Sequence, residues 1–514
     1  MAAFAAAKFA VHMLVLAVSP YGLHRDEFLY FAMGRHLRFW RMDFPPLIAL
    51  LANAQTALLG HTLAAARVFP ALEGTALVVL AAVIARELGG ARFAQGLAAL
   101  ATLCAPIFLR PGNLFQPVVL DQLWWTLALY ALLRVARAAA EPLGPQRARA
   151  ARHWWLAFGA AMGLGLLTKF SILFLGVSVL GALLVTPLRQ SLRTPWPWLA
   201  AALAFAIGSP SITGQIALHF PVVGQMRDLQ ASQLTHVNWL SYVVAMPFML
   251  GAATFMLAVA GAVAMVAWRP LAAYRAAGWA CVLAFFLLML LHGKPYYVGP
   301  IYPTLIAAGA VWLERMGRAP APRVRAPLRV AVAAVIALEG LIVVPIALPL
   351  LSRERTAQYI VRAGATWALG TNRGGSDLLP QDFADQIGWE HQAQTLARVY
   401  RALPPAEQAQ AVIGADNYGE AGAAEFYAGK YGLPPAVCGC GSFWFFGPGT
   451  RPGTVVIAIR VDSAKLASMY GSVRLAARIL SPWSVQEERD VRVWLARNPR
   501  TTLQSVWPRF ANSN

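Results

Sequence analysis

Two adjacent acids open the first hydrophilic stretch, "HRDEFLYFAMGRH" (24–36), where Asp26 and Glu27 sit among His24, Arg25 and Arg35. Further on, Asp121 interrupts the apolar "FQPVVLDQLWW", Lys169 stands in "GLLTKFS", and Lys294, Tyr296 and Tyr297 stand in "HGKPYYVGPIYP". A carboxylate can take the proton of a hydroxyl as that hydroxyl attacks an activated carbon. Cations close by can stabilise a phosphate that departs as its charge develops. The same parts suit an anion or proton transporter, so on their own they define a kind of chemistry and not a reaction.

Plainer roles stand beside these. Asp121 can pair with Lys169 or an arginine to hold helices together, and Lys169 and Lys294 can reach for lipid headgroups. Asp26 can make a helix-terminus salt bridge with Arg25 or Arg35. Glu27 reads as support for Asp26. His24 and His292 have no ligand partner at helical spacing, so no metal site is assigned and no cofactor is called for, a divalent metal staying open.

The elements that must position these residues are membrane helices. Of 514 residues, 58% are hydrophobic and 13% charged, where a soluble enzyme carries about a quarter charged. Apolar runs long enough to cross a bilayer recur to about residue 351. They lie at roughly 4–20, 68–86, 93–110, 117–136, 153–167, 170–187, 197–216, 239–267, 276–292, 296–314 and 328–351. The expected fold is therefore a polytopic α-helical membrane protein of about eleven spans over 1–351, with a first outward loop at 21–67. A soluble α/β domain follows at 352–514. Residues 1–20 lack a small-x-small cleavage site and read as the first span, not as a signal peptide.

Loop charge orients the chain. "RELGGAR", "RVARAAAEPLGPQRARAAR", "RQSLR", "RPLAAYR" and "RMGRAPAPRVRAPLR" together hold sixteen arginines and two acids, which places them in the cytoplasm. The net charge of +20 then reflects topology, and nucleic acid is not an expected partner. The other loops and the C-terminal domain face outward, the periplasm in a bacterial inner membrane. Arg25, Arg35, Arg38 and Arg41 cluster on that outward side against the rule, which points to a bound anion, with anchoring to headgroups as the plain alternative. "RMDFPPLIALL" (41–51) reads as an interfacial turn whose Pro45-Pro46 opens a short amphipathic helix.

With these residues placed, the chain resembles membrane glycosyltransferases of the GT-C type, in the family of protein O-mannosyltransferases and lipid A aminoarabinose transferases (glycosyltransferase family 39). "HRDEFLYFAMGRHL", "DFPPLIALL", "ARVFPALEGTALV", "VVLDQLWW", "GLLTKFS" and "GKPYYVGPIYPTLIAAGA" carry the likeness in order, and "GADNYGEAGAAEFYAGKYGLPP" (414–435) resembles the outer domain of a bacterial branch. The resemblance implies that Asp26 takes the place of the first-loop catalytic aspartate and Asp121 the second acidic position. Lys169, Lys294 and Tyr297 then line the donor phosphate cavity. It implies a sugar donor carried on polyprenyl phosphate (undecaprenyl phosphate in bacteria), an envelope acceptor and surrounding membrane lipid. Where the aminoarabinose transferases carry a Lys before the first interfacial Pro, this chain has Pro45. That phosphate contact must come from Arg41 or Lys294, with Arg35 a further cation of the loop, and aminoarabinose is not expected as the sugar. "CGCGSFWFFGPG" (438–449) lacks the His-Asn pair of the bacterial branch.

In the C-terminal domain a helical stretch (388–403), strands "QAVIGA" and "TVVIAIR", and a last strand around "VRVWLA" alternate as in a small α/β domain. Asp416 and Glu420 are candidates for acceptor binding, or else an N-cap and a first-turn acid. Cys438 and Cys440, two apart, are read as too close for a relaxed disulfide with each other and lack zinc-site spacing around them, while Cys104 and Cys281 read as packing residues. A transporter or flippase for an anionic lipid or solute is the alternative function. It calls for repeated halves with broken helices, and no repeat is visible in the sequence. A membrane scaffold would leave Asp121 and Lys169 as unexplained costs.

Overall fold

The computed structural model describes residues 1–142, 144–316 and 322–512, so part of the arginine-rich loop 315–329 lies outside the described residues. Two compact units form. A membrane unit comprises Met1–Val18, Arg67–Ile216 and Leu229–Leu348, and a sheet unit comprises Ser19–Ala66, Ala217–Asp228 and Pro349–Asn514. Residues 21–66 of the first loop thus group with the C-terminal domain, whereas the sequence reading grouped 21–67 with the spans.

In the membrane unit, long apolar segments become helices because only a helix satisfies every backbone group within lipid. Among the described residues, Leu63–Glu87, Pro117–Ala140, Trp196–Ala217, Arg269–Leu290 and Pro327–Ala347 are long and apolar enough to cross a membrane. Three bent helix pairs pass the same test together. Two of the expected spans are therefore broken. The run 93–110 bends by 75° between Cys104 and Pro106, as a proline disfavours helix at the residue before it. The 29-residue run 239–267 is two helices, Trp239–Leu250 and Ala252–Ala267, bent by 112°. Gly251 turns the chain at φ +85°, and both Glu339 carboxylate oxygens accept from the Ala253 N–H at 3.1 Å. That acid answers one of the donors a helix start leaves open. The helices Ala252–Ala267 and Tyr302–Met316 pack backbone to backbone through Gly261 and Gly309, where any Cβ would collide with the Leu305 or Leu257 carbonyl.

The sheet unit is built on five strands, β1 (Ala411–Ala415), β2 (Ala436–Cys438), β3 (Val455–Ile459), β4 (Tyr470–Leu480) and β5 (Asp490–Pro499), in the order β2-β1-β3-β5-β4. β1 runs parallel to β2 and β3, while β5 is antiparallel to β3 and β4. The Ile413, Ile457, Val493 and Leu495 side chains form its core. Cys438 and Cys440 are disulfide-bonded, their Cα atoms held 5.4 Å apart where the chain leaves β2. One expectation is corrected here. The N-cap before helix Tyr418–Phe426 is Asn417, not Asp416; Glu420 closes the capping box from the third position.

Against helix Tyr418–Phe426 lies Arg25–Arg35 of the first loop. Gly419 and Gly422 allow the approach, since a Cβ on Gly422 would stand 2.8 Å from the Phe28 Cβ. Phe28 is fully buried, edge-on to Trp389 and Phe426 at ring distances of 5.9 and 5.6 Å. Leu47–Leu59, with Pro46 as its N-cap, is the expected short helix after the Pro-Pro turn.

Candidate active site

The candidate residues fall in both units, and each set is described within its own. Asp121 lies one turn into Pro117–Ala140 and is buried at 3% exposure. Its carboxylate accepts from the Ser171 hydroxyl, with both oxygens at 2.9 Å. Lys169, two residues before Ser171 in the turn between Pro145–Leu166 and Ile172–Leu184, makes no ion pair among the described residues. Its ammonium instead lies 4.4 Å from the Tyr297 ring centre and 5.5 Å from that of Tyr296, a favourable seat for a cation. Asp121 is thus held by a serine, not paired with Lys169. Lys294 leads into the 3-10 turn Pro295–Ile301, and its ammonium donates to the Gln233 side-chain oxygen at 2.5 Å. The structure therefore gathers Asp121, Lys169 and Tyr297 and adds Ser171.

In the sheet unit, Asp26 stands in the first turn of Arg25–Arg35 with its side chain 33% exposed. Its Oδ1 accepts from the Tyr418 hydroxyl at 2.9 Å. Burial, then the charge of Asp26, pushes Tyr418 ionisation well above the phenol range, so the hydroxyl is a permanent donor. His24 Nδ1 accepts from the Asp26 backbone N–H at 3.1 Å, which puts the proton of the neutral ring on Nε2, facing Asp385 at 3.7 Å. Glu27 is fully buried and accepts from the His24 N–H at 2.6 Å, so it caps the helix. Arg25 does not bridge to Asp26 but donates to Asp385 at 2.5 Å and Glu487 at 3.0 Å. Burial opposes its charge, yet these carboxylates outweigh it and raise its pKa.

The remaining cations of the loop differ. Arg35 donates to the Glu425 carbonyl at 2.8 Å, at the end of helix Tyr418–Phe426. Arg41 is exposed. Asp43, which the sequence reading passed over, accepts from the Ser442 hydroxyl at 2.6 Å. Burial raises its pKa to about 6, with Ser442 and its own backbone pulling the other way. Asp416 and Glu420 both bind Arg460, at 2.9 and 2.6 Å. Burial and the neighbouring Glu488 hold Glu420 well above the carboxylate range, against Arg460. Among the described residues no three His, Cys, Asp or Glu side chains gather to hold a metal ion.

The fold of this chain is similar to that of GT-C type membrane glycosyltransferases. The sequence of residues 43–213 matches the dolichyl-phosphate-mannose-protein mannosyltransferase family. The fold is similar to that of ArnT from Cupriavidus metallidurans in the apo state, with a TM-score of 0.59 at 17% identity, covering 96% of this chain and 97% of that one. ArnT bound to undecaprenyl phosphate gives 0.58 at 18% identity over the same shares. The apo oligosaccharyltransferase of Archaeoglobus fulgidus gives 0.52 at 12% identity, covering 82% of this chain and 64% of that one. No curated protein sequence matches the chain.

Proposed function

We propose that this glycosyltransferase moves a sugar, with inversion, from a polyprenyl phosphate to an acceptor lipid, glycan or protein. The acceptor hydroxyl attacks the anomeric carbon, the bond from that carbon to the phosphate oxygen breaks, and the hydroxyl proton passes to Asp26. Asp121, fixed by Ser171, orients acceptor or sugar. Lys169, Tyr297 and Lys294 hold the departing phosphate, with Arg41 assisting and Glu27 keeping the Asp26 helix capped. An acceptor phosphate would need no base, and Asp26 would then position it. The site is proposed to face the outer side of a bacterial inner membrane, in a topology of eleven spans, with the C-terminal domain in the periplasm.

The observation that carries this reading is the Lys169 ammonium, seated on two tyrosine rings with no carboxylate in ion-pair reach among the described residues. Such a cation beside a fixed acid favours an anionic group that arrives and leaves. The test is Asp26→Asn in cells, followed by mass spectrometry of the lipids. Accumulation of a polyprenyl-linked sugar with normal protein levels is expected; unchanged lipids and full transfer would remove Asp26 from the mechanism.

A further inference from the structure

Away from these residues, the membrane unit concentrates positive charge where Leu63–Glu87 and Pro117–Ala140 end and Pro145–Leu166 begins. Two cavities open there, of about 710 and 460 Å³, sharing Ala150 and Trp154 in their walls. The larger is lined by Arg149 and Arg152, the smaller by Arg86, Arg134 and Arg137 together with the acids Glu87 and Glu141. Buried Glu87 bridges Arg134 at 3.4 Å and Arg137 at 3.3 Å, and the Arg134 guanidinium lies 4.5 Å over the Trp154 ring. Those two arginines are fixed and answered in charge. Arg86, Arg149 and Arg152 make no ion pair among the described residues. Arg147, Arg149 and Arg152 also occupy the start of Pro145–Leu166, which has no acid in its first turn, although cations are disfavoured at that end of a helix. Topology accounts for arginines on this side of the membrane, but their place at a helix start beside open cavities leaves room for an anion from outside the chain to answer them.

We propose that these cavities bind the phosphate headgroup of an anionic membrane phospholipid. The site lies at the ends of membrane helices, where headgroups lie. Trp154 packs edge-on to Tyr130 at 5.6 Å and gives the aromatic contact typical of that depth. Forked guanidinium groups match phosphate oxygens in pairs. The proposal rests on the sidedness given above only in assigning the lipid to the cytoplasmic leaflet; binding itself is independent of sugar transfer.

The purified full-length protein in detergent micelles is titrated with phosphatidylglycerol or phosphatidylcholine, and retained lipid is counted by native mass spectrometry. Selective retention of phosphatidylglycerol is expected, weakened about tenfold or more by Arg149→Ala with Arg152→Ala, and unchanged in Asp26→Asn. Should the double variant not fold, Arg152→Gln carries the test with a loss of about fivefold. Equal retention of both lipids, or undiminished phosphatidylglycerol binding in the arginine variants, overturns the proposal. Displacement by inorganic phosphate also overturns it, since the site would then serve a soluble phosphate.

Discussion

Replacing Tyr418 with Phe removes one oxygen from the sheet unit and leaves the ring in place. That oxygen donates to Asp26 at 2.9 Å, and a hydrogen bond to a charged group contributes roughly 1.5–3 kcal/mol. Because the Asp26 side chain is 33% exposed, water takes up part of the loss, and the lower figure applies. A barrier raised by about 1.5 kcal/mol corresponds to a roughly tenfold slower step. The loss belongs in kcat, with KM for the lipid donor little changed, because the bond orients the base and touches no phosphate. The assay is transfer from a polyprenyl-linked sugar by the purified enzyme, with thermal unfolding as the control for folding. In an Asp26→Asn background the Tyr418→Phe change should add no further loss, the signature of two residues acting as one. Wild-type kcat in the single variant, or full additivity in the double, would refute the reasoning.

Three more outcomes follow from the structure. Lys169→Gln should raise KM for the donor and lower kcat/KM by about ten- to a hundredfold, read from donor saturation curves, with Lys169→Arg recovering part of it. Asp43 should make stability depend on pH: its folded pKa of about 6 lies above the ordinary 3.8. The folded state therefore keeps a proton that the unfolded chain has released, and stability falls as pH rises from about 4 to about 6. Asp43→Asn should flatten that slope in denaturation midpoints measured across the window. Gly422→Val should lower stability by about 1–3 kcal/mol through overpacking against Phe28, visible in thermal unfolding.

The charged candidates were legible because an apolar chain makes a polar residue conspicuous: Asp121 and Lys169 break long hydrophobic runs, and membrane burial of charge is costly. Ser171, Gln233 and Tyr418 gave no such signal. A serine or tyrosine is unremarkable in this composition, and the partner of Tyr418 lies 392 residues away. Glu339 stood in an expected span and was passed over, yet it marks the break at Gly251 that divides a run too long for one crossing. That Cys438 and Cys440 bond to each other is not legible from spacing alone, because the turn after β2 decides the distance between their Cα atoms. The alternation of helices and strands after residue 388 indicated the α/β domain; the strand order and the docking of Arg25–Arg35 depend on contacts that no local pattern encodes.

The partner of Asp26 is translated long after Asp26 itself. A nascent chain emerges with its acid near the start and must be completed almost to the end before Tyr418 and the Asn417-capped helix exist to receive it. A chain interrupted before that helix would lack both the hydroxyl that Asp26 accepts from and the Glu425 carbonyl that Arg35 donates to.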